Sequence, residues 1–179
     1  MLEKEIKVLD ICVDELTTKL TKMRWFKTYE GVIHDDYYDV PGGFLDQKWY
    51  SLRIRTFDGA NPHITFKIKQ KHKSLKVAQE YEFATHDKAE HTFLLFQKWG
   101  LKPIRSKTKR RLSYVVGQHT FDIDMYADMP PLLEIEWGKT KDIFKMINTL
   151  GLQDHKTLKC GYRWLCRFYE KSHLISPLK

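Results

Sequence analysis

The chain has 179 residues, 42% hydrophobic side chains and a formal net charge of +8, which fits one folded domain over residues 1–179 and favours an anionic partner. Its best apolar run, residues 93–96, is far shorter than the roughly 20 residues that a membrane-spanning helix needs, and charges from Glu3 onward predict no secretory signal, so we expect a cytoplasmic protein without a membrane partner. Three cysteines (Cys12, Cys160 and Cys166) are too few for a disulfide framework, and their spacing matches no zinc site.

Apolar residues three or four positions apart predict three helices. They cover residues 13–23, 87–99 and 141–150. Thr85 or Asp87 is the candidate N-cap of the second helix, and Thr140 is that of the third. Gly100 and Gly151 follow these two helices, at a position where glycine commonly ends a helix.

Turn-forming residues divide much of the remaining chain into short strand-like runs. The turns fall at residues 41–43, 58–62, 117–118 and 129–131. An amphipathic stretch over residues 164–169 has no clear assignment. Seven or eight strands with helices at their connections predict an antiparallel α+β domain.

Charged residues of like sign recur at every second position of these strands. Arg53 and Arg55 alternate with Leu52 and Ile54, for example, so this strand has one apolar face and one charged face. An ordinary half-exposed sheet explains any single strand of this kind. It explains the repetition less well, because two like charges about 7 Å apart repel by about 2 kcal/mol at an effective dielectric constant near 20.

We therefore predict a sheet that curls into a barrel, with the charged face inside and the helices covering the apolar face outside. The basic side chains expected inside are Lys7, Arg53, Arg55, Lys67, Lys69, Lys109 and Arg111. The acidic side chains expected inside are Glu3, Glu5, Glu80, Glu82, Asp122, Asp124, Glu134 and Glu136. Arg and Lys bind phosphate oxygens, and carboxylates bind Mg²⁺ or Mn²⁺, so both sets together indicate a metal–polyphosphate site.

At these residues the sequence resembles the CYTH superfamily, also called triphosphate tunnel metalloenzymes. The N-terminal E-x-E-x-K strand of that family is matched by residues 3–7, its D-x-Y-Y-D strand by residues 35–39 and its L-R-x-R strand by residues 52–55. Further matches are T-x-K at 65–67, K-x-R at 109–111, the single aspartate at Asp124 and E-I-E at 134–136. Residues 159–162, Lys-Cys-Gly-Tyr, resemble the family's K-x-S-Y element. The similarity runs over nearly the whole chain.

The resemblance implies an eight-stranded antiparallel tunnel that binds a small-molecule triphosphate. It implies divalent-cation ligands at Glu3, Glu5, Asp124, Glu134 and Glu136. It implies a triphosphate clamp formed by Lys7, Arg53, Arg55, Lys67, Lys109 and Arg111. Lys159 would position the attacking group, beside Glu136 and Asp124 as further catalytic residues. Residues of the right parity outside the motifs rank lower as ligands; they are Lys69, Asp122, Glu80 and Glu82.

Two departures from the family pattern bear on substrate choice. Val77 or Ala78 stands where an arginine is common, and Pro130 and Pro131 replace a glycine before the E-I-E strand. The favoured reaction is hydrolysis of inorganic triphosphate, a nucleoside triphosphate or thiamine triphosphate, in which a metal ion activates the attacking water.

Two other functions remain open at this stage. The same residues serve a class IV adenylyl cyclase, which makes cyclic AMP and pyrophosphate from ATP. The net positive charge and residues such as Trp25 and Trp49 also suit a non-catalytic polyphosphate- or RNA-binding module. The acidic residues on the same faces disfavour nucleic acid, since they repel a phosphate backbone. A homodimer through the outer barrel face is a further expectation.

Overall fold

The computed structural model describes residues 2–60, 62–86, 88–117, 119–136 and 140–171. Asn61, Asp87 and Gln118, which we placed in turns and at a helix start, lie outside these residues, as does the side chain of Thr140. The strands within the described part are β1 (Leu2–Val8), β2 (Phe26–Asp39), β3 (Tyr50–Phe57), β4 (His63–Gln70), β5 (Lys76–Ala84), β6 (Lys102–Val116), β7 (His119–Tyr126), β8 (Met129–Glu136) and β9 (Thr157–Leu158). The helices there are α1 (Val13–Lys22), α2 (Phe44–Gln47), α3 (Ala89–Lys98), α4 (Thr140–Thr149) and α5 (Tyr162–Lys171).

The strands form one sheet in the order β5-β4-β3-β2-β6-β7-β8-β1-β9. Because β1 also pairs with β5, eight strands close into an antiparallel barrel, and β9 adds to β1 as an extra strand. The helices lie outside the barrel. This confirms the predicted α+β class with an eight-stranded antiparallel β-barrel.

The strand register places opposite charges opposite each other on the charged face. Asp35 of β2 pairs with Arg55 of β3. Lys67 of β4 pairs with Glu80 of β5, Arg111 of β6 with Asp124 of β7, and Lys7 of β1 with Glu134 of β8. Cross-strand neighbours of opposite sign stabilise a sheet. At these positions the repulsion along a strand is offset by attraction between strands, which a single strand's sequence does not reveal. The register also pairs like charges, Glu5 with Glu136 and Asp122 with Glu134.

The helices follow the predicted pattern closely. α1, α3 and α4 lie within two residues of the expected bounds, and the unassigned stretch near the C-terminus is α5. Gly100 and Gly151 end α3 and α4 with φ angles of 78° and 68°, the left-handed conformation expected of a residue that ends a helix. The sequence did not predict α2, which is only four residues long. No helix within the described ranges is long and apolar enough to cross a membrane.

Asp39 determines the conformation of the segment that contains α2. Its carboxylate is 2% exposed and accepts hydrogen bonds from the backbone N–H groups of Val40, Leu45 and Asp46 at 2.7, 2.9 and 3.1 Å. Gly43 precedes the helix with φ of 72°, a left-handed conformation that glycine adopts without strain. The last aspartate of the D-x-Y-Y-D motif is thus a structural residue, bonded to backbone.

The chain divides into two compact units. The first contains the described residues of Met1–Glu3, Gly31–Lys71 and Val77–Lys109, and the second those of Lys4–Glu30, His72–Lys76 and Arg110–Lys179. Each unit has its own apolar cluster. In the first, Phe96 of α3 packs with Tyr38, Ile54 and Ile64. In the second, buried residues of α5 pack on the strands; the cluster is Leu9, Tyr126, Met129, Leu132, Leu165, Cys166 and Tyr169.

Candidate functional site

Asp35 is the centre of a buried charge cluster in the first unit. The Nε and one terminal nitrogen of Arg55 donate to its two carboxylate oxygens at 2.6 and 3.0 Å. Lys107 Nζ lies 3.2 Å from the same carboxylate and Arg53 Nε lies 3.8 Å from it. Burial alone would raise the pKa of Asp35, but the charges of Arg53, Lys107 and Arg55 hold it well below its usual range. A single carboxylate therefore neutralises only part of the positive charge around it.

A second group of ion pairs completes this cluster on β4 and β5. Lys67 Nζ contacts Glu3 at 2.7 Å and Glu80 at 2.8 Å. A terminal nitrogen of Arg53 lies 3.6 Å from Glu80 and 3.8 Å from Glu82. Burial raises the pKa of Glu82, but hydrogen bonds from Thr65 and His63, followed by the charge of Arg53, lower it on balance. These contacts bring together six of the residues predicted from the strand pattern, namely Glu3, Arg53, Arg55, Lys67, Glu80 and Glu82.

Tyr37, Arg105 and Lys107 also belong to the first-unit cluster, although the sequence analysis did not select them. The guanidinium of Arg105 lies 4.0 Å from the centre of the Tyr37 ring, and Lys107 Nζ lies 5.6 Å from it. Burial alone would raise the pKa of Tyr37, but the charges of Lys107, Arg53 and Arg55 lower it to about 7. Arg105 and Lys107 share the parity of Lys109 on β6, which is the signal that could have identified them.

Arg111 is the centre of the charge cluster in the second unit. Its Nε and a terminal nitrogen donate to Asp124 at 2.5 and 2.7 Å, and a terminal nitrogen donates to Glu134 at 2.6 Å. Arg111 also donates to Asp122, which accepts a further bond from Ser113 at 2.6 Å. Burial and the neighbouring charge of Asp124 raise the pKa of Asp122, although Arg111 opposes them. Burial is the largest of these effects, so the raised pKa reflects a carboxylate whose lost hydration Arg111 does not fully compensate.

Glu5 and Lys7 extend the second-unit cluster along β1. Lys7 Nζ donates to Glu5 at 2.6 Å and to Glu134 at 2.5 Å. Burial alone would lower the pKa of Lys7, but Glu134 and Glu5 raise it well above its ordinary value. Lys76 Nζ makes a second ion pair with Glu5 at 2.7 Å. Lys76, at the start of β5, was also missed, although it has the same parity as Glu80.

The two clusters differ in their balance of charge. Basic side chains outnumber carboxylates in the first-unit cluster, where Arg53, Arg55, Lys67, Arg105 and Lys107 accompany Glu3, Asp35, Glu80 and Glu82. Carboxylates outnumber basic side chains in the second unit, where Glu5, Asp122, Asp124 and Glu134 accompany Lys7, Lys76 and Arg111. An anion is favoured by the first arrangement and a cation by the second.

Four predicted site residues have other surroundings. Lys69 has a side chain 40% exposed and lies 3.6 Å from Asp46. Lys159 is exposed and donates to backbone carbonyl oxygens. Lys109 is buried at 3% exposure. Glu136 is partly buried and pairs in register with Glu5 across β1 and β8.

The donor chemistry of the second-unit cluster suits a hard divalent cation. Carboxylate oxygens are the protein ligands that Mg²⁺ and Mn²⁺ prefer. Among the described residues, no three His, Cys, Asp or Glu side chains are already arranged to coordinate one ion. The carboxylates of Asp122, Asp124 and Glu134 instead converge on the guanidinium of Arg111. Four carboxylates accompany three basic groups in this cluster, so their oxygen atoms fit a divalent ion in type and charge.

Comparison with known proteins gives a family and a fold. The family model of the CYTH domain matches residues 1–150. Among solved structures, PH1819 of Pyrococcus horikoshii OT3 is 25% identical, covers 94% of this chain and 99% of its own, and has a TM-score of 0.75. No curated protein sequence matches this chain significantly.

Two more distant structures share the fold. HpAC1 of Hippeastrum is an adenylyl cyclase candidate with a dominant triphosphatase activity; it is 14% identical, with coverage of 93% of this chain and 95% of its own and a TM-score of 0.71. An adenylate cyclase candidate of Vibrio parahaemolyticus is also 14% identical, with coverage of 92% and 97% and a TM-score of 0.75.

Proposed function

The chain belongs to the CYTH domain family, and from this premise we propose that it hydrolyses a small-molecule triphosphate with the help of a divalent metal ion. Members of this family are triphosphatases or adenylyl cyclases that generally use divalent cations. The substrate in this proposal is inorganic triphosphate, a nucleoside triphosphate or thiamine triphosphate.

The observation that carries the proposal is the division of charge between the two clusters. Phosphoryl transfer requires positioning and charge neutralisation more than covalent chemistry from the protein. A cluster with excess positive charge supplies phosphate contacts, and a cluster with excess carboxylate supplies metal ligands.

In the first unit, we assign substrate binding to Arg53, Arg55, Lys67 and Lys107. Arg55 donates two bonds to Asp35, so its guanidinium is held in one orientation before substrate arrives, and this reduces the conformational entropy lost on binding. Arg53 lies farther from each of its acidic partners, at 3.6 to 3.8 Å. Its donors are therefore the ones most readily transferred to a phosphate oxygen.

In the second unit, we assign metal binding to Glu5, Asp122, Asp124 and Glu134, with Glu136 as a further carboxylate of the family motif. Mg²⁺ or Mn²⁺ held there would neutralise phosphate charge and lower the pKa of a bound water. Arg111 and Lys7 orient these carboxylates through direct ion pairs. Lys7 and Arg111 also carry donors that suit phosphate oxygens, in keeping with their place in the family's basic motifs.

HpAC1 supports the choice of hydrolysis over cyclisation, since a protein of this fold has a dominant triphosphatase activity. The adenylyl cyclase reaction remains an outcome of the test. A binding module for RNA is disfavoured by the buried carboxylates on the charged face, and such a module would keep its affinity after chelation and lose it steeply with salt.

Product analysis tests the proposal. Purified protein is incubated with Mg²⁺ or Mn²⁺ and with ATP, inorganic triphosphate or thiamine triphosphate in parallel, and orthophosphate, pyrophosphate and cyclic AMP are quantified. We expect orthophosphate, chiefly from one substrate, and loss of the activity with EDTA. Formation of cyclic AMP and pyrophosphate from ATP would show that the protein is an adenylyl cyclase and not a hydrolase. Absence of turnover with every substrate would overturn the proposal that it is an enzyme.

Arg53→Gln is the informative variant in this assay, and Lys69→Gln is its matched control. Both substitutions remove one positive charge from neighbouring strands of the first unit, but Arg53 is 8% exposed and the Lys69 side chain is 40% exposed. We expect Arg53→Gln to lower kcat/KM by at least about a hundredfold, as loss of a charged contact to a transferring phosphoryl group does. We expect Lys69→Gln to change it by less than about threefold, the size of a weak exposed ion pair.

A further inference from the structure

Lys159 contacts the backbone of the loop that connects β4 to β5. Its Nζ donates to the carbonyl oxygens of His72 and Lys73 at 3.0 and 2.6 Å. The family resemblance assigned this lysine to the attacking group, whereas its contacts in the structure are with two neighbouring carbonyls of the chain. Lys159 directly follows β9, which pairs with β1 through Leu158 and Lys7. The loop is therefore tied to the strand that carries Glu5 and Lys7.

The loop, residues 72–75, has a defined conformation of its own. The backbone N–H groups of Ser74 and Leu75 donate to Nδ1 of His72 at 3.2 and 3.0 Å, so this ring nitrogen is an acceptor. Leu75 is 2% exposed and fixes the end of the loop in the apolar interior. Two attachments, Lys159 at the start of the loop and Leu75 at its end, help to place the residue that begins β5, a strand also held by its pairing with β4 and β1.

The next residue is Lys76, whose ammonium group lies 2.7 Å from Glu5. Glu5 is 4% exposed and also accepts from Lys7 at 2.6 Å. Two ammonium groups therefore share one buried carboxylate of the second-unit cluster. Lys7 belongs to β1 itself, whereas Lys76 is the first residue of β5 and directly follows the loop, so the loop contributes to the position of its ammonium group.

We propose that Lys159 is a positioning residue which, through the loop 72–75, holds Lys76 on Glu5, and that Lys76 thereby competes with the divalent metal for this carboxylate. The inference rests on the proposed function in one respect, the assignment of Glu5 as a metal ligand. Lys76 lowers the affinity of the cluster for its cation, and metal binding displaces the Lys76 ammonium from Glu5. The site therefore fills at higher divalent cation concentrations than it would if Lys76 were absent.

Mn²⁺ binding to the full chain, measured without substrate by electron paramagnetic resonance, tests this inference. Lys76→Met should tighten Mn²⁺ binding by at least about tenfold, the effect of removing a unit charge about 5 Å from a divalent ion even at the dielectric constant of water. Lys159→Met should tighten it about threefold, because the ammonium of Lys76 is then only partly held in place. The double variant should equal Lys76→Met alone, because both changes act through the same ammonium group.

Two control variants distinguish the proposed positioning role of Lys159 from a general effect of charge in the loop and from a loss of folding. Lys73→Met removes a positive charge from the same exposed loop and should leave Mn²⁺ affinity within about twofold of wild type, because exposed charges are screened. Lys159→Arg retains a donor for the loop carbonyls and should restore wild-type affinity. Circular dichroism of each variant establishes that the fold is retained.

The inference is overturned if Lys159→Met binds Mn²⁺ as wild type does, if the effects of the two substitutions add in the double variant, or if Lys76→Met weakens binding. The hydrolysis assay distinguishes these results from failure of the proposed function. Turnover of a triphosphate with no shift in Mn²⁺ affinity rejects only the role of Lys159. The expected shifts without turnover of any triphosphate reject only the hydrolase. Absence of Mn²⁺ binding to wild type rejects the metal site and, with it, this inference.

Discussion

Substitution of Asp35 by Asn tests whether this carboxylate is the counter-ion of the first-unit cluster. Asp35 is fully buried, accepts two bonds from Arg55 at 2.6 and 3.0 Å, and lies 3.2 Å from Lys107 Nζ. The amide of Asn keeps the shape of the side chain but removes the negative charge, leaving three basic groups without it. Removing one partner of a buried ion pair costs about 3–5 kcal/mol, a large part of the free energy of unfolding of an ordinary domain.

Thermal and urea unfolding measure this cost. For a chain of this size we expect the Tm of Asp35→Asn to fall by about 10 °C. Asp36→Asn is the matched control, because the adjacent carboxylate contacts His34 and Ser106 with its side chain 17% exposed; we expect it to cost about 1 kcal/mol or less. Inorganic triphosphate should raise the Tm of Asp35→Asn more than that of wild type, since an anion can replace the lost charge. Equal destabilisation by the two substitutions would refute the assignment of Asp35.

Three further predictions concern pH, metal and loop structure. Because the pKa of Tyr37 is lowered to about 7, absorbance at 295 nm should rise with a midpoint near pH 7, and Tyr37→Phe should remove this transition. If no tyrosine ionised below about pH 10, the charge balance described around this ring would be wrong. Because the pKa of Asp122 is raised, Mg²⁺ binding at acidic pH should release protons, which calorimetry in buffers of different ionisation enthalpy detects, and Mg²⁺ affinity should fall as the pH falls. The same proton release in Asp122→Asn would show that this residue is not part of the metal site. Asp39→Ala should increase proteolysis of the segment that contains α2 and cost about 1–3 kcal/mol, since three backbone N–H groups lose their acceptor; resistance equal to wild type would show that the segment is held by other contacts.

Asp35 also contributes to acid stability, with a sign that follows from its pKa. The pKa is lower in the folded chain than in the unfolded chain, so the contribution is fully present above the unfolded value of about 3.9 and is lost as pH falls toward the folded value. Asp35→Asn should therefore flatten the acid limb of the stability profile below about pH 4. A profile parallel to that of wild type would contradict the ion-pair network.

The barrel could be predicted from the sequence because charge alternates with apolar residues over whole strands. In β3, Ile54 is 1% exposed on the face that packs under α3, while Arg53 and Arg55 lie on the opposite face. Alternate residues of a strand lie on the same face, so the sequence of one strand shows which residues share a face even when its partner strand is unknown. The same logic predicted the carboxylates of β7 and β8.

What could not be predicted depends on register and on contacts between distant parts of the chain. The cross-strand pairing of Asp35 with Arg55 shows that a motif aspartate is a counter-ion, and nothing within residues 35–39 alone reveals this. Lys159 was assigned through family resemblance, but its contacts are with loop carbonyls 86 and 87 positions away. The two-residue strand β9 and the four-residue helix α2 are too short to show a period.

The division of labour between the two clusters is the central claim, and separate binding measurements on two variants test it most directly. Calorimetry is performed with Mn²⁺ alone and with metal-free inorganic triphosphate alone, on wild type, Arg53→Gln of the first unit and Glu134→Gln of the second. We predict that Arg53→Gln loses at least about tenfold in triphosphate affinity and keeps its Mn²⁺ affinity, whereas Glu134→Gln loses at least about tenfold in Mn²⁺ affinity and does not lose triphosphate affinity. If Arg53→Gln weakened Mn²⁺ binding while Glu134→Gln left it unchanged, the assignment of phosphate and metal to these clusters would be wrong.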